Sequence, residues 1–137
     1  MKNRLIWIPS IIVLGLLAIQ LGLSPAYATG DFNITANPSS FGEPIASGKL
    51  TSTINVTSTG GFSGTVSLSA SATNGVTTTF NPTSVTVSSG GSATSTLKIA
   101  FDVDCNNIGP GHIVTVTGQS GTLSHNVQIT YQLPIRC

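Results

Sequence analysis

The chain has 137 residues, only 7% of them are charged, and its formal net charge is +1. This length allows one ordinary domain with a single hydrophobic core. The few basic residues form no run or stripe in the sequence, which argues against a nucleic-acid partner and against binding to an anionic membrane surface.

The N-terminal segment has the features of an export signal. Lys2 and Arg4 precede an apolar run over residues 5–23, and a small-residue motif ending at Ala28 follows. This pattern predicts a secretory signal peptide over residues 1–28, cleaved after Ala28. The alternative is an uncleaved anchor, because the apolar run approaches the ~20 residues that cross a bilayer. In both cases the remainder is exported, and we expect a membrane contact only if the segment is retained.

The exported domain, residues 29–137, shows alternation of apolar and polar side chains with a period of two and no helical periodicity. Glycine, asparagine and proline separate short alternating runs at intervals typical of turns. About seven short strands of this kind predict an all-β, antiparallel sandwich in which each of two sheets buries one face. The pattern leaves open whether Pro82 bends one strand or divides two. In chain order the runs cover residues 32–36, 50–56, 65–70, 85–87, 96–101, 112–117 and 123–133.

Two segments of the domain resemble each other. The sequence Asn37-Pro38-Ser39-Ser40 leads into "LTSTINV", and Asn81-Pro82-Thr83-Ser84 leads into "ATSTLKI". Each half is too small to bury a core of its own. The repetition therefore predicts two halves of one sandwich and not two domains.

Two asparagines, Asn33 and Asn55, occupy Asn-x-Thr sequons, which are acceptors for N-linked glycans in an exported protein. Both fall on the polar side of their predicted strands. We therefore expect glycans at these positions to leave the core undisturbed.

The exported domain has two cysteines, Cys105 and Cys137, and an even number in such a protein favours a disulfide. If the last three runs are successive antiparallel strands, both cysteines lie at the same end of the sandwich. A bond between them would close a loop of about 33 residues and stabilise the fold by roughly 3–4 kcal/mol. The alternative is an intermolecular bond through Cys137.

Asp102, Asp104 and Asn106 match the opening of a calcium-binding loop, whose alternate oxygens face one ion. The pattern also requires glycine at its sixth position and glutamate at its twelfth, where this chain has Asn107 and Ile113. A weak calcium site is therefore the alternative to a solvated turn shaped by aspartate and asparagine. No other metal and no cofactor is expected.

The histidines do not predict a copper centre or a catalytic site. We expect the last hairpin to place His112 opposite Ile129 and His125 opposite Val116, about 13 Å apart along the sheet and too far to share an ion. The chain has no Gly-x-Ser-x-Gly motif, and we do not expect an enzyme. Phe62 is the one candidate for an exposed aromatic that could bind sugars, although packing over the sandwich end is the favoured interpretation.

Three stretches, "GFSGTVSLSAS", "GVTTTFNPTSVTVSSGGSATSTLKI" and "PGHIVTVTGQSGTLSHNVQIT", resemble the immunoglobulin-like sandwich modules of archaeal and bacterial secreted and surface proteins. The resemblance covers about residues 31–133. It implies an immunoglobulin-like fold and a structural or adhesive role at the cell surface, as a monomer or within a surface assembly, with an unidentified protein or surface polymer as partner. The alternatives are a pilus-like filament subunit that assembles by strand exchange and a surface module tethered to the membrane by a retained N-terminal segment.

Overall fold

The computed structural model describes residues 30–44, 48–73, 75–101 and 109–133. This part of the chain forms nine strands, and it contains no helix long and apolar enough to cross a membrane. The strands are β1 (Asp31–Asn37), β2 (Ser40–Pro44), β3 (Lys49–Thr59), β4 (Gly64–Ala72), β5 (Val76–Asn81), β6 (Ser84–Val87), β7 (Ser92–Phe101), β8 (Gly109–Ser120) and β9 (Leu123–Leu133).

The strands form two sheets. The first sheet has the order β1-β3-β7-β5, and the second has the order β2-β9-β8-β4-β6. All pairings are antiparallel except that of β2 with β9. The first sheet and the β9-β8-β4 part of the second correspond to the ABED and CFG sheets of an immunoglobulin domain. The prediction of an all-β immunoglobulin-like sandwich is confirmed. Seven of the nine strands match the predicted runs, whereas β2 and β5 lie outside them. Relative to the seven strands of an immunoglobulin domain, the additional strands are β2 and β6.

Each additional strand follows a proline. The cis bonds Asn37-Pro38 and Asn81-Pro82 separate β1 from β2 and β5 from β6. At each proline the chain leaves the first sheet and joins an edge of the second. Proline has no N–H to donate to a ladder, so it suits the point where a strand leaves its sheet. Pro82 therefore divides two strands and does not bend one.

The two proline crossings are held in the same way. The Ser52 hydroxyl of β3 donates to the Pro38 carbonyl at 2.8 Å, and the Ser95 hydroxyl of β7 donates to the Pro82 carbonyl at 2.6 Å. Both serines are buried, and the residues that follow them, Thr53 and Thr96, pair with each other. The strands β1–β3 and β5–β7 are therefore two copies of one arrangement, related by a rotation about this threonine pair.

The core lies between the sheets and is built by alternation along each strand. In β3, for example, every second residue from Leu50 to Ser58 is buried and faces the opposite sheet. Burial of one large aliphatic or aromatic side chain contributes about 1.5–3 kcal/mol. The buried apolar residues are Phe32, Ile34, Leu50, Ile54, Val56, Phe62, Val66, Leu68, Val85, Val87, Leu97, Ile99, Phe101, Val114, Val116, Ile129, Tyr131 and Leu133.

The β8–β9 hairpin has a different register from the one expected. Its turn lies at residues 121–122, where Gly121 takes a positive φ of 57°, and Ser120 pairs with Leu123. His112 consequently pairs with Tyr131, and His125 pairs with Gly118. The predicted partners Ile129 and Val116 were wrong by two positions, because the observed turn is centred one residue later than the predicted one.

Candidate functional site

The segment that joins β7 to β8 contains Cys105 of the predicted disulfide and the residues of the possible calcium site. The structure describes its two flanks, Phe101 at the end of β7 and His112 in β8. The predicted disulfide and the predicted weak calcium site remain predictions. Their residues lie outside the described part of the chain: Asp102, Asp104, Cys105, Asn106 and Cys137.

The two flanking residues close the core around Tyr131. The Phe101 ring and the His112 ring each stack on the Tyr131 ring, and in both pairs the ring centroids are 5.3 Å apart. Among the described residues, no group makes a hydrogen bond with the buried Tyr131 hydroxyl. Burial raises the pKa of Tyr131, and the nearby Thr73 side chain opposes this shift only in part. The phenol therefore stays neutral, and the stack contributes packing at this end of the sandwich.

His125 belongs to a contact at the opposite end of the sandwich. Its Nε2 lies 2.7 Å from Oδ1 of Asp31, and the same oxygen accepts a hydrogen bond of 2.8 Å from the Phe32 N–H. These two contacts, the His125 bond first, hold the pKa of Asp31 below its ordinary value of 3.8. The His125 ring also meets the Phe32 ring edge-on, with centroids 4.9 Å apart. The contact therefore joins the first strand to the last strand across the two sheets.

The two histidines are too far apart to share an ion. His125 pairs with Gly118, which lies six positions along β8 from His112, so the separation is about 20 Å at the rise of a strand. Within the described ranges, no three or more histidine, cysteine, aspartate or glutamate side chains cluster closely enough to hold a metal ion.

Both sequon asparagines lie on the outer face of the first sheet, and the two sequons face each other. Asn33 pairs with Thr57, and Asn55 pairs with Thr35. Asn33 is exposed, whereas Asn55 is partly buried and its amide donates to the Thr57 hydroxyl at 3.2 Å. Their modification by glycans stays a prediction.

Phe62 does not supply an exposed aromatic surface. Its side chain is buried, its ring centroid lies 5.3 Å from that of Phe32, and its carbonyl accepts a hydrogen bond from Ser58. Phe62 therefore packs over the sandwich end, which was the favoured interpretation of the sequence.

The structure adds a feature that the sequence analysis missed, a depression of about 370 Å³ on the outer face of the first sheet. The lysines in it, Lys49 of β3 and Lys98 of β7, are distant in the sequence. Their alternation with buried neighbours indicated that both face outward, but the pairing of β3 with β7 was needed to bring them together. Two cross-strand rows line the depression: Lys49, Ala100 and Thr77 in one, and Thr51, Lys98 and Thr79 in the other.

Comparisons with known proteins identify the fold and do not identify a family. No protein-family model matches the sequence, and no curated protein matches it. The structure is similar to a FixG-related protein from Vibrio parahaemolyticus, with a TM-score of 0.56 and 11% identity over 76% of this chain and 95% of that one. It also matches the cupredoxin domain of amoB from Nitrosocaldus yellowstonii, with a TM-score of 0.44 and 14% identity over 66% of this chain and 60% of that one.

At 11% identity, the similarity to the FixG-related protein shows a shared sandwich fold and nothing about activity or partners. The coarser part of the sequence-based resemblance, the immunoglobulin-like β-sandwich, is therefore supported. Membership among secreted and surface modules stays a prediction.

Proposed function

We propose that the chain is an exported, non-catalytic structural or interaction module that acts at the cell surface or outside the cell. The observation that carries the proposal is the position of β1. This strand begins at Asp31, three residues after the predicted cleavage site at Ala28, and pairs with β3 over all seven of its residues. The first strand thus begins directly after the predicted export segment and pairs within its own sandwich, which supports the proposal.

The alternative is a filament subunit that exchanges its first strand with a neighbour. The contacts of β1 weigh against this alternative. Its Phe32 and Ile34 side chains are buried in the core, and release would expose both at a cost of about 1.5–3 kcal/mol each. The Asp31–His125 contact would also be lost. An incoming strand would have to replace all these interactions, so the intramolecular arrangement is favoured.

The surface suits a module that binds by short-range contacts. The exposed side chains of β4 and β9 on the outer face of the second sheet are serines, threonines, an asparagine and glutamines, including Ser69, Asn126 and Gln128. Such groups donate and accept hydrogen bonds but do not steer a charged partner from a distance. A rigid scaffold that presents polar faces and loops to a protein or a surface polymer fits this character.

The proposal is tested by expressing the full chain with its own N-terminal segment in a bacterium that exports proteins. We expect the chain outside the cytoplasm, and a Leu16→Arg, Leu17→Arg double variant retained inside because charge interrupts the apolar run. The purified protein should stay monomeric by light scattering over about a hundredfold range of concentration. Cytoplasmic retention of the unaltered chain would contradict export, and polymers that grow with concentration and incorporate labelled chains would favour the filament.

A further inference from the structure

We propose that the depression on the outer face of the first sheet binds an oxyanion, a carboxylate or phosphate group carried by a hydroxyl-bearing ligand such as an acidic sugar unit. The proposal rests on the proposed function, because it names a ligand class for an interaction module. The test of the proposal does not depend on export, because ligand binding and export are measured in separate experiments.

The register of three strands places the recognising groups around Ala100. This residue has only a methyl side chain and lies between Lys49 and Thr77 in its cross-strand row. Lys98 is two residues earlier on the same strand. Neighbouring strands are about 4.8 Å apart and alternate residues about 6.7 Å apart. An anion seated above Ala100 is therefore within reach of two lysine side chains and the Thr77 hydroxyl.

The charge of the depression favours an anion. Lys49 and Lys98 are the only lysine or arginine residues in the described part of the chain, and both line this depression. None of the lining residues is acidic. Lys49 already takes part in another interaction within the protein. Lys98 is therefore the principal ammonium group of the proposed site, and Lys49 adds positive charge beside it. Charge-assisted hydrogen bonds from an ammonium to an oxyanion are stronger than those between neutral groups.

The remaining lining groups suggest that the oxyanion is part of a ligand with hydroxyls. Thr51 and Thr79 flank Lys98 on both sides, and a threonine hydroxyl both donates and accepts a hydrogen bond. The depression, at about 370 Å³, is near the lower end of small-molecule sites, which suits one sugar unit. Its lining contains no aromatic ring on which a neutral sugar could stack, so the charge must supply the affinity.

The first experiment is a titration of the full protein, followed by the NMR shifts of its backbone amides, with inorganic phosphate, glucuronate and glucose as separate probes. We expect saturable shifts in β3, β5 and β7 with the two anions and none with glucose. Saturation by glucuronate alone would assign a carboxylated sugar, and saturation by phosphate alone would assign a phosphate group. Equal shifts with glucose, or no saturable shift with either anion, would overturn the proposal.

Two variants test the site by different routes. Lys98→Gln removes the principal charge, and Ala100→Leu fills the floor while both lysines stay in place. Each should weaken anion binding about two- to fivefold, a loss comparable with that of one partly exposed ion pair. Thr94→Leu is the matched control, because Thr94 is exposed on the same strand but outside the depression. The affinity of the Thr94→Leu variant for the anions should be unchanged.

Unchanged affinity in Ala100→Leu would show that binding arises from diffuse lysine charge and would contradict a built site. An equal loss in Thr94→Leu would contradict it as well. Ala100 is exposed, so the fold should tolerate leucine, and the dispersion of the amide spectrum verifies this for each variant. Failure of these tests would leave the exported-module proposal in place, since that proposal depends on fractionation and molecular mass.

Discussion

At each of the two points where the chain passes from the first sheet to the second after a cis proline bond, a single serine hydroxyl forms a hydrogen bond to the proline carbonyl. Ser52 and Ser95 are buried, and each donates to the carbonyl of a proline that begins a crossing. Both hydrogen bonds are partly buried, and each contributes about 0.5–1.5 kcal/mol, the usual net value of a hydrogen bond within a protein. These serines therefore act as structural anchors, although serine in a strand is usually an exposed polar residue.

Replacement of Ser95 by alanine should lower the free energy of unfolding by about 1 kcal/mol, because it removes the hydrogen bond to the Pro82 carbonyl. Urea denaturation measures the change. Ser92→Ala is the matched control, since Ser92 is exposed on the same strand, and it should stay within about 0.5 kcal/mol of the unaltered protein. Equal effects of the two variants would show that the hydrogen bond from Ser95 to Pro82 contributes little to stability.

Asp31 makes the stability of the fold depend on pH under acidic conditions. The hydrogen bond from His125, and then that from the Phe32 N–H, lower the folded-state pKa of Asp31 below 3.8. As the pH falls toward 3.8 and below, the unfolded chain therefore binds more protons at Asp31 than the folded chain does. The stability that ionised Asp31 contributes is lost as the pH falls further, through the pKa of Asp31 in the folded state. In Asp31→Asn this contribution to the acid-induced loss of stability should disappear.

The pKa of Asp31, followed by carboxyl NMR shifts, provides the direct measurement. In His125→Gln it should return toward its ordinary value, because the largest cause of the shift is gone. His112→Gln is the control, since His112 stacks on Tyr131 at the other end of the sandwich. An Asp31 pKa that is the same in both variants would mean that the contact with His125 does not form in solution.

At the scale of elements, the close approach of β8 to β1 depends on one glycine. Gly118 occupies an inward position of β8, and a Cβ there would lie 3.1 Å from Val66, 3.2 Å from Phe32 and 3.3 Å from Ile34. Two of these side chains belong to β1 in the opposite sheet. A side chain at position 118 would therefore push the sheets apart or displace the first strand.

Gly118→Ala should destabilise the protein by about 1–3 kcal/mol, the usual cost of adding atoms to a packed core. Gly42→Ala in β2 is the control, because a Cβ there meets no atom within 4 Å, and its effect should be close to zero. Thermal unfolding of the two variants measures the difference. A neutral Gly118→Ala would contradict the tight packing of β1 against β8.

The strand content could be predicted from the sequence because alternation along runs such as Leu50–Val56 reports directly which face is buried. The strands β2 and β5 lie outside the predicted runs, since β2 has a single large apolar residue, Phe41, and β5 has three consecutive threonines between Val76 and Phe80. The hairpin register was missed for a related reason. Both Gly118 and Gly121 offered a turn, and only packing shows that Gly118 belongs to the core.

At the scale of the whole molecule, the composition of a surface site depends on which strands become neighbours. The alternation of residues along one strand does not show which other strand it pairs with. Lys49 and Lys98 meet because β3 pairs with β7, which places residues 49 positions apart in the sequence on one small area of surface. The cysteine and acidic residues near position 105 could be recognised by type and spacing alone. Their roles as a disulfide and a weak calcium site remain predictions.

The central proposal about the whole molecule is an exported domain whose first strand begins directly after a cleaved signal peptide and whose two cysteines form a disulfide. The intact mass of the natively exported protein, measured before and after reduction, tests it most directly. We predict a chain that begins at Thr29 and gains the mass of two hydrogen atoms on reduction, with any glycan appearing as added mass. A mass that begins at Met1 would contradict the cleaved signal, and a mass unchanged by reduction would contradict the disulfide.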